Sequence, residues 1–297
     1  MSLPRTIALT ALAVSGFAAN SLLCRLALAP KAIDPATFTS VRFFSGAVVL
    51  AALVRAGVPR EERRGGTWGG ALALAAYAVA FSLAYTRLGS STGSLLQFSA
   101  VQLSMIGWGI VSGERPRPTE WLGLALAVGG LVALTLPGLT APDPTGAALS
   151  LTAGSAWGVY SILGRRETGH PLAATAGNFL RCLPFVAAFG LLTLPAQHGS
   201  GRGVLLAVAS GTLSSGVGYS FWYAALKGLT ATRASIVQLA VPVLAVTGGV
   251  LLLDEAITPR LVGAGAAILV GIGLALLAKS RPGTTGSPDR PPGPGRT

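Results

Sequence analysis

Apolar residues run along the chain in blocks of about 20, the length an α-helix needs to cross a hydrocarbon core of roughly 30 Å. Short gaps containing Pro, Gly or charged residues separate the blocks. The pattern predicts an all-α integral membrane protein with ten transmembrane helices. They are expected near residues 6–26, 36–55, 67–86, 92–112, 119–136, 146–164, 172–194, 203–225, 233–253 and 260–279.

The amino-acid composition agrees with a membrane protein. Hydrophobic residues make up 51% of the 297 residues and charged residues only 11%, whereas an average soluble domain is about 25% charged. The first block follows Arg5 and resembles a signal peptide, with small residues at 27 and 29. Pro30 after that cleavage site and the similar blocks that follow favour a retained first helix.

The formal net charge of +12 could indicate a nucleic-acid partner, because basic patches neutralise phosphates. The Lys and Arg residues instead lie mainly in the short gaps between apolar blocks. With the N-terminus inside, most of them fall in cytoplasmic loops, as the positive-inside bias requires. We therefore expect no nucleic-acid partner, cytoplasmic N- and C-termini, and a multi-pass protein of the inner membrane.

Groups that could support metal or ion chemistry are few. Cys24 and Cys182 lie inside or at the edge of apolar blocks, as small buried hydrophobic residues do, and the two histidines fall in separate loops. The sequence therefore predicts no metal, cofactor or disulfide. All ten Asp and Glu residues lie outside the predicted helix centres, so ion coupling is expected to be weak or to depend on Glu114 or Glu255.

The chain resembles itself at an offset of 141 residues. The matching pairs are Ser94 and Ser235, Gln97 and Gln238, Leu103 and Leu244, Gly107 and Gly248, Glu114 and Glu255, Pro118 and Pro259, and Gly130 and Gly271. An ancestral duplication divides the chain into five-helix repeats at 5–140 and 141–280, followed by a disordered tail at 281–297. Because five is odd, the second repeat enters the membrane from the opposite side, and inverted repeats of this kind favour alternating access.

Several short motifs follow one another in order along the two repeats. They are Asn20 with Arg25, the Asp34-Pro35 step before Arg42 and Phe43, the Gly-Glu-Arg-Pro run at 113–116, Trp157 with Tyr160, the segment 223–229, Pro242 and the Asp254-Glu255 pair. On these residues the chain resembles the drug/metabolite transporter superfamily, specifically its ten-helix EamA branch. The aromatic-rich eighth helix is similar to that of the YddG-type aromatic amino-acid exporters.

This resemblance and the inverted repeat predict a transporter rather than an enzyme. The expected activity is export of small metabolites, such as amino acids, aromatic ones included, by alternating access around a central cavity between the repeats. The alternatives are a lipid or polyprenyl-carrier flippase and a non-transporting membrane scaffold. A polar cavity favours a soluble substrate, whereas a slot open to lipid favours a flippase.

Polar and aromatic residues inside the spans are candidates for substrate binding, because hydrocarbon offers no hydrogen-bond partner. Arg42 stands out, since a charge at the membrane centre costs roughly 2.5–3.5 kcal/mol. It would hold a substrate carboxylate, or alternatively lie near the outer headgroups. The candidates are Asn20, Arg42, Tyr77, Gln97, Trp157, Tyr160, Asn178, Arg181, Tyr219, Trp222, Tyr223 and Gln238.

Each of these groups also has a structural interpretation. The equivalent Gln97 and Gln238 would line the cavity or form hydrogen bonds between helices. The aromatic stripes on the sixth and eighth helices would stack a substrate, pack the core or form an interfacial belt. Small residues such as Gly263 and Gly271 predict a tight helix pair, either within the chain or in a homodimer.

Overall fold

The computed structural model describes residues 1–28, 30–88, 90–136, 143–253 and 259–277, which are nearly all helical. Ten helical segments follow one another in these residues, eight of them long and apolar enough to cross a membrane, which confirms the predicted ten-helix membrane fold. They are α1 (Leu3–Leu28), α2 (Pro35–Gly57), α3 (Trp68–Ala84), α4 (Ser90–Val111), α5 (Pro118–Thr135), α6 (Pro144–Arg166), α7 (Pro171–Leu192), α8 (Gly201–Leu226), α9 in two pieces (Ala231–Val237 and Ala240–Leu253), and α10 (Pro259–Leu277). Short 3-10 turns lie at Arg60–Glu62 and Leu194–Ala196.

Local sequence signals explain where helices begin. The Asp34 carboxylate accepts hydrogen bonds from the Ala36 and Thr37 backbone N–H groups at 3.0 and 2.9 Å. Asp143 caps α6 in the same way, accepting from the Gly146 N–H at 2.7 Å. In both helices Pro follows the capping Asp, where its missing N–H costs no helical hydrogen bond.

The two halves of the chain interleave rather than form separate bundles. Helix α2 packs on α7, α3 on α6, α5 on α10, and α1 on both α8 and α9. Each of these pairs joins one helix from the first half to one from the second. The core therefore lies between the halves, and a cavity there is lined by both.

Glycines bring α2 into backbone contact with α8, and α5 with α10. A Cβ atom at Gly46 would lie 2.7 Å from the Gly211 carbonyl oxygen, so α2 and α8 approach closely at this level. Gly123 and Gly271 do the same between α5 and α10, each facing the other's carbonyl oxygen. The predicted tight contact of the tenth helix is therefore made within the chain, although Gly263 has open space beside it.

Helices α8 and α9 are irregular where the sequence pattern predicts uninterrupted helices. A π-helical segment, Ser210–Val217, occupies the middle of α8. In α9 the helix breaks after Val237, because Pro242 has no N–H to donate to the Gln238 carbonyl. Val241 donates to that carbonyl at 3.0 Å instead. In the first half the position equivalent to Pro242 is Val101, which has an N–H, and α4 is continuous there.

Candidate functional site

A cavity of about 170 Å³ lies between the two halves. It extends from the buried Asn20 and Tyr219 to the exposed Arg25 at the end of α1. Since one water needs roughly 10–15 Å³ of such space, about a dozen water-sized groups fit. We call the end of the bundle that contains Arg25, Tyr85 and Leu88 the open end.

Six of the twelve predicted site residues line this cavity. They are Asn20, Tyr77, Gln97, Trp157, Tyr219 and Gln238. They come from α1, α3, α4, α6, α8 and the break in α9, and so from both halves of the chain. The close packing of the interleaved helices, rather than proximity in sequence, brings these side chains together.

Aromatic rings form the buried wall of the cavity. The Trp157 ring lies 4.8 Å from that of Tyr219 and 5.0 Å from that of Tyr77, centroid to centroid. Phe17 meets Trp157 edge-on at 5.2 Å. Such a wall can stack against an aromatic or apolar part of a solute.

The two equivalent glutamines have different partners. The Gln238 side chain accepts a hydrogen bond from Trp157 Nε1 and donates one to the Ala234 carbonyl at 2.9 Å. Gln238 is therefore held at the helix break. Within the described part of the chain the Gln97 amide makes no hydrogen bond and is available to a solute.

Arg42 lies directly behind the cavity wall and is 0% exposed, so its side chain is surrounded by protein. Its Nε donates to Ser215 Oγ at 2.7 Å, and its Nη2 donates to Tyr219 Oη at 2.6 Å. The guanidinium carbon is 6.0 Å from the Tyr77 ring centroid. The α2–α8 contact at Gly46 and Gly211 places Arg42 against the π-helical segment of α8.

The remaining candidates lie outside the cavity, in a layer next to its aromatic wall. Asn178 donates to Tyr223 Oη at 3.0 Å and accepts from the Thr67 N–H at 2.8 Å. Tyr160 packs against Tyr223 with ring centroids 4.9 Å apart. Trp222 and Arg181 are also held by protein groups: Trp222 Nε1 donates to Ser161 Oγ at 3.0 Å, and Arg181 Nη1 to the Gly65 carbonyl at 3.0 Å. These residues connect α6, α7 and α8 to the loop before α3.

Ion pairs join the halves at the opposite end, where α1 begins. Glu114 accepts from Arg165 Nη1 and from the Ala231 N–H, both at 2.8 Å. Glu120 pairs with Arg233 Nε at 2.8 Å, with their side chains 7% and 11% exposed. We call the end that holds these two pairs the closed end.

Burial raises the pKa of Glu114, but the hydrogen bonds from the Ala231 and Thr232 N–H groups and from Arg165 outweigh it and hold the pKa below its usual range. Glu114 is therefore a carboxylate at neutral pH. Its repeat partner Glu255, together with Asp254, lies outside the described residues, as does the predicted tail at 281–297.

Sequence reasoning missed several residues that line the cavity. Tyr85 lies about two helical turns after Tyr77 and continues its face of α3. Ser94 appears in the internal repeat, which was a usable signal, since its neighbour Gln97 was selected. Phe17 lies about one helical turn before Asn20. Among the described residues, no cluster of His, Cys, Asp and Glu is arranged to hold a metal ion.

Comparisons with known proteins agree with this architecture. The model of the EamA-like transporter family matches residues 4–136 and again 144–277. An uncharacterized protein of Pseudomonas aeruginosa is 51% identical over 277 residues, covering 92% of this chain and 94% of that protein. The threonine/homoserine exporter RhtA of Escherichia coli is 32% identical over 169 residues, 55% of this chain and 57% of that exporter. One crystal structure superposes with a TM-score of 0.72 at 25% identity, covering 89% of this chain and 96% of that one.

Proposed function

The chain belongs to the EamA-like transporter family, and from this premise we propose that it exports amino acids or closely related small solutes across the inner membrane. Family membership makes it a multi-pass membrane transporter of small solutes. The finer proposal, that the solutes are amino acids, is supported by the size and lining of the cavity and by the likeness to a threonine/homoserine exporter. Polar groups such as Asn20 and Gln97 suit a soluble solute better than a lipid.

The observation that carries the proposal is one cavity between the two halves, accessible at one end and sealed at the other. Asn20 and Tyr219 line its buried limit, and the ion pairs of Glu114 and Glu120 lie at the closed end. A solute that enters from the open end meets the amide side chains that line the cavity, but the closed end bars its further passage. Transport then requires the closed end to separate while the open end closes.

The arrangement of basic residues supports an orientation for this cycle. The last turn of α2 and the loop after it, at the closed end, contain Arg55, Arg60, Arg63 and Arg64, whereas the open end has fewer Lys and Arg residues. In the proposed orientation the closed end faces the cytoplasm and the open end faces outward. The structure then corresponds to the state that releases solute outside.

The irregular helices α8 and α9 suit a change in which the closed end opens and the open end closes. Discontinuous helices at the level of a binding site are typical of transporters, because their free backbone groups line the site and the two pieces can move separately. The break at Gln238 lies at the cavity, and α4, its counterpart, is continuous. We propose that the first piece of α9, which carries Thr232 and Arg233, moves when the closed end opens.

Proteoliposomes containing the purified protein test the proposal. Vesicles loaded with unlabelled L-threonine, L-homoserine or L-phenylalanine should take up the same labelled amino acid by exchange. Gln97→Ala with Gln238→Ala should lower the exchange rate about tenfold, because removing a hydrogen bond to the solute costs roughly 1.5 kcal/mol. The absence of exchange for all amino acids, with protein that remains folded, would refute amino-acid export.

A matched control uses the same substitution outside the cavity. Gln197 lies in the loop between α7 and α8, where its Nε2 donates to the Gly190 carbonyl at 2.7 Å. Gln197→Ala should exchange amino acids at the wild-type rate. An equal reduction in Gln197→Ala would show that the cavity glutamines act through general stability.

A further inference from the structure

Arg42 is a buried cation with unused hydrogen-bonding capacity. Its Nη1 has no hydrogen-bond partner within the described part of the chain, although the side chain is completely buried. Its two other bonds go to neutral hydroxyl groups, those of Ser215 and Tyr219, and the described residues offer it no ion-pair partner. A buried charge without a counterion is unfavourable, and an anionic group that arrives next to it relieves that cost.

Tyr219 connects this cation to the cavity. Arg42 Nη2 donates to the Tyr219 oxygen at 2.6 Å, and Tyr219 itself lines the cavity. Because a phenol both accepts and donates, Tyr219 can accept from Arg42 and still donate its own O–H to a group in the cavity. A hydrogen bond from a donor polarised in this way is strongest to an ionised acceptor such as a carboxylate.

The charges around the cavity point the same way. None of the described residues that line it is Asp or Glu. Arg42 places a positive charge behind the buried wall. The positive potential of this site attracts anionic groups and disfavours solutes that carry only positive charge.

We infer that Arg42 and Tyr219 form an anion-recognition point at the buried limit of the cavity, and that the transported solute binds there through a carboxylate group. This inference rests on the proposed transport function and narrows its substrate class to carboxylates, zwitterionic amino acids included. Cationic amines without a carboxylate are excluded as good substrates. Tyr219 contacts the carboxylate, and Arg42, behind the wall, supplies the positive charge that polarises the Tyr219 hydroxyl.

The test compares amino acids with their carboxamides, which keep the side chain and the ammonium group but lack the carboxylate. Binding of L-threonine and L-threoninamide, and of L-phenylalanine and L-phenylalaninamide, is measured on the purified full chain by calorimetry. At least one acid should bind about tenfold more tightly than its amide, as expected for a charge-assisted hydrogen bond. Equal binding of acid and amide in both pairs overturns the inference.

Tyr219→Phe removes only the hydroxyl and keeps the ring that packs against Trp157. It should weaken binding of the acid about tenfold and leave the affinity for the amide unchanged. Arg42→Lys should give an intermediate loss, because a charge remains without the planar fork. Equal weakening of acid and amide by Tyr219→Phe contradicts a carboxylate contact.

Tyr160→Phe is the matched control. The Tyr160 hydroxyl is buried without a hydrogen-bond partner in the described part of the chain, and Tyr160 does not line the cavity. This variant should keep the preference for the acid over the amide. A loss of preference as large as that of Tyr219→Phe would assign the effect to general disturbance of the aromatic cluster and overturn the inference.

Exchange in proteoliposomes separates the two proposals. Undiminished amino-acid exchange by Tyr219→Phe, with an unchanged KM, refutes the recognition point and leaves amino-acid export standing. No exchange of any amino acid by the wild-type protein refutes the export proposal, and the carboxylate inference falls with it.

Discussion

The two ends of the helix bundle both contain acidic and basic residues, yet they use them differently. At the closed end Arg165 and Glu114 pair at 2.8 Å with 26% and 18% of their side chains exposed, and Glu120 and Arg233 are more buried still. At the open end Arg87 and Asp143 are 3.8 Å apart and 51% and 41% exposed. Since partial burial strengthens a short ion pair and water screens a long exposed one, the two described pairs at the closed end hold it more firmly than the Arg87–Asp143 pair holds the open end.

The difference also reflects which parts of the chain the pairs connect. Glu114 and Glu120 belong to the first half, and their partners Arg165 and Arg233 to the second. Glu114 in addition accepts from the first N–H groups of α9, so that it caps this helix as well as joining the halves. A cycle that opens the closed end must break these interactions.

The largest effect is expected from the most buried pair. Glu120→Gln keeps the shape of the side chain but removes its charge, and breaking a buried ion pair from one side costs about 3 kcal/mol or more. Denaturant unfolding in mixed micelles measures the loss. Glu62→Gln, an exposed residue of the loop between α2 and α3, is the control and should change the unfolding free energy little. Similar stabilities of the two variants would show that the closed end is not locked.

Glu114→Gln should cost about 2 kcal/mol, because charge-assisted hydrogen bonds to Arg165 and the start of α9 are weakened. The folded protein holds the pKa of Glu114 below its unfolded value. Its stabilisation is therefore complete at neutral pH and is lost as the pH falls through the acidic range. The difference in unfolding free energy between wild type and Glu114→Gln should shrink on acidification. A difference independent of pH would contradict this role for the carboxylate.

A thiol-labelling comparison at equivalent positions sharpens the contrast between the ends. Ser94 lines the cavity, whereas its repeat equivalent Ser235 is completely buried towards the closed end. A membrane-impermeant maleimide added to whole cells should label Ser94→Cys at least about tenfold faster than Ser235→Cys. A tenfold ratio corresponds to a difference of about 1.4 kcal/mol in the free energy of exposing the thiol. The wild type, whose two cysteines are buried, gives the background.

Equal labelling of the two positions would mean that the ends are equally accessible. Labelling of Ser94→Cys only in inverted vesicles would instead reverse the predicted orientation of the chain. Adding Glu120→Gln to Ser235→Cys should increase its labelling, because the closed end then separates more easily.

The smallest effect is expected at the open end. Arg87→Ala removes one partner of the exposed pair with Asp143, and such pairs contribute about 0.5 kcal/mol or less. The unfolding free energy should be unchanged within that margin. A loss as large as that of Glu114→Gln would show that the open end is also held by charge, and the contrast between the ends would disappear.

Much of the fold was predictable because a membrane span is a local property. A run of apolar residues either reaches the length of the hydrocarbon core or does not, and each of the ten predicted spans lies within a few residues of an observed one. The breaks were not predicted. Pro242 was visible in the sequence, but whether it breaks α9 depends on whether another N–H, here that of Val241, can donate to the Gln238 carbonyl.

The candidate site was predictable only in part. Polar groups inside spans are few, so Asn20, Gln97 and Gln238 could be selected from the sequence, and the repeat singled out the two glutamines. Asn178 and Tyr223 satisfied the same criteria, yet they hydrogen-bond each other outside the cavity. Helical spacing indicates which residues share a face and says nothing about whether that face meets a cavity or another helix.

The sequence by itself determined the number of spans, the duplicated plan and the family, because each depends on patterns of residues along the chain. Only the tertiary structure decided that Arg42 lies buried behind Tyr219, and that Glu114 and Glu120 close one end while the cavity is accessible from the other. These features depend on distances between helices far apart in sequence. Backbone contacts at glycines such as Gly46 and Gly211 set those distances, and no local pattern contains them.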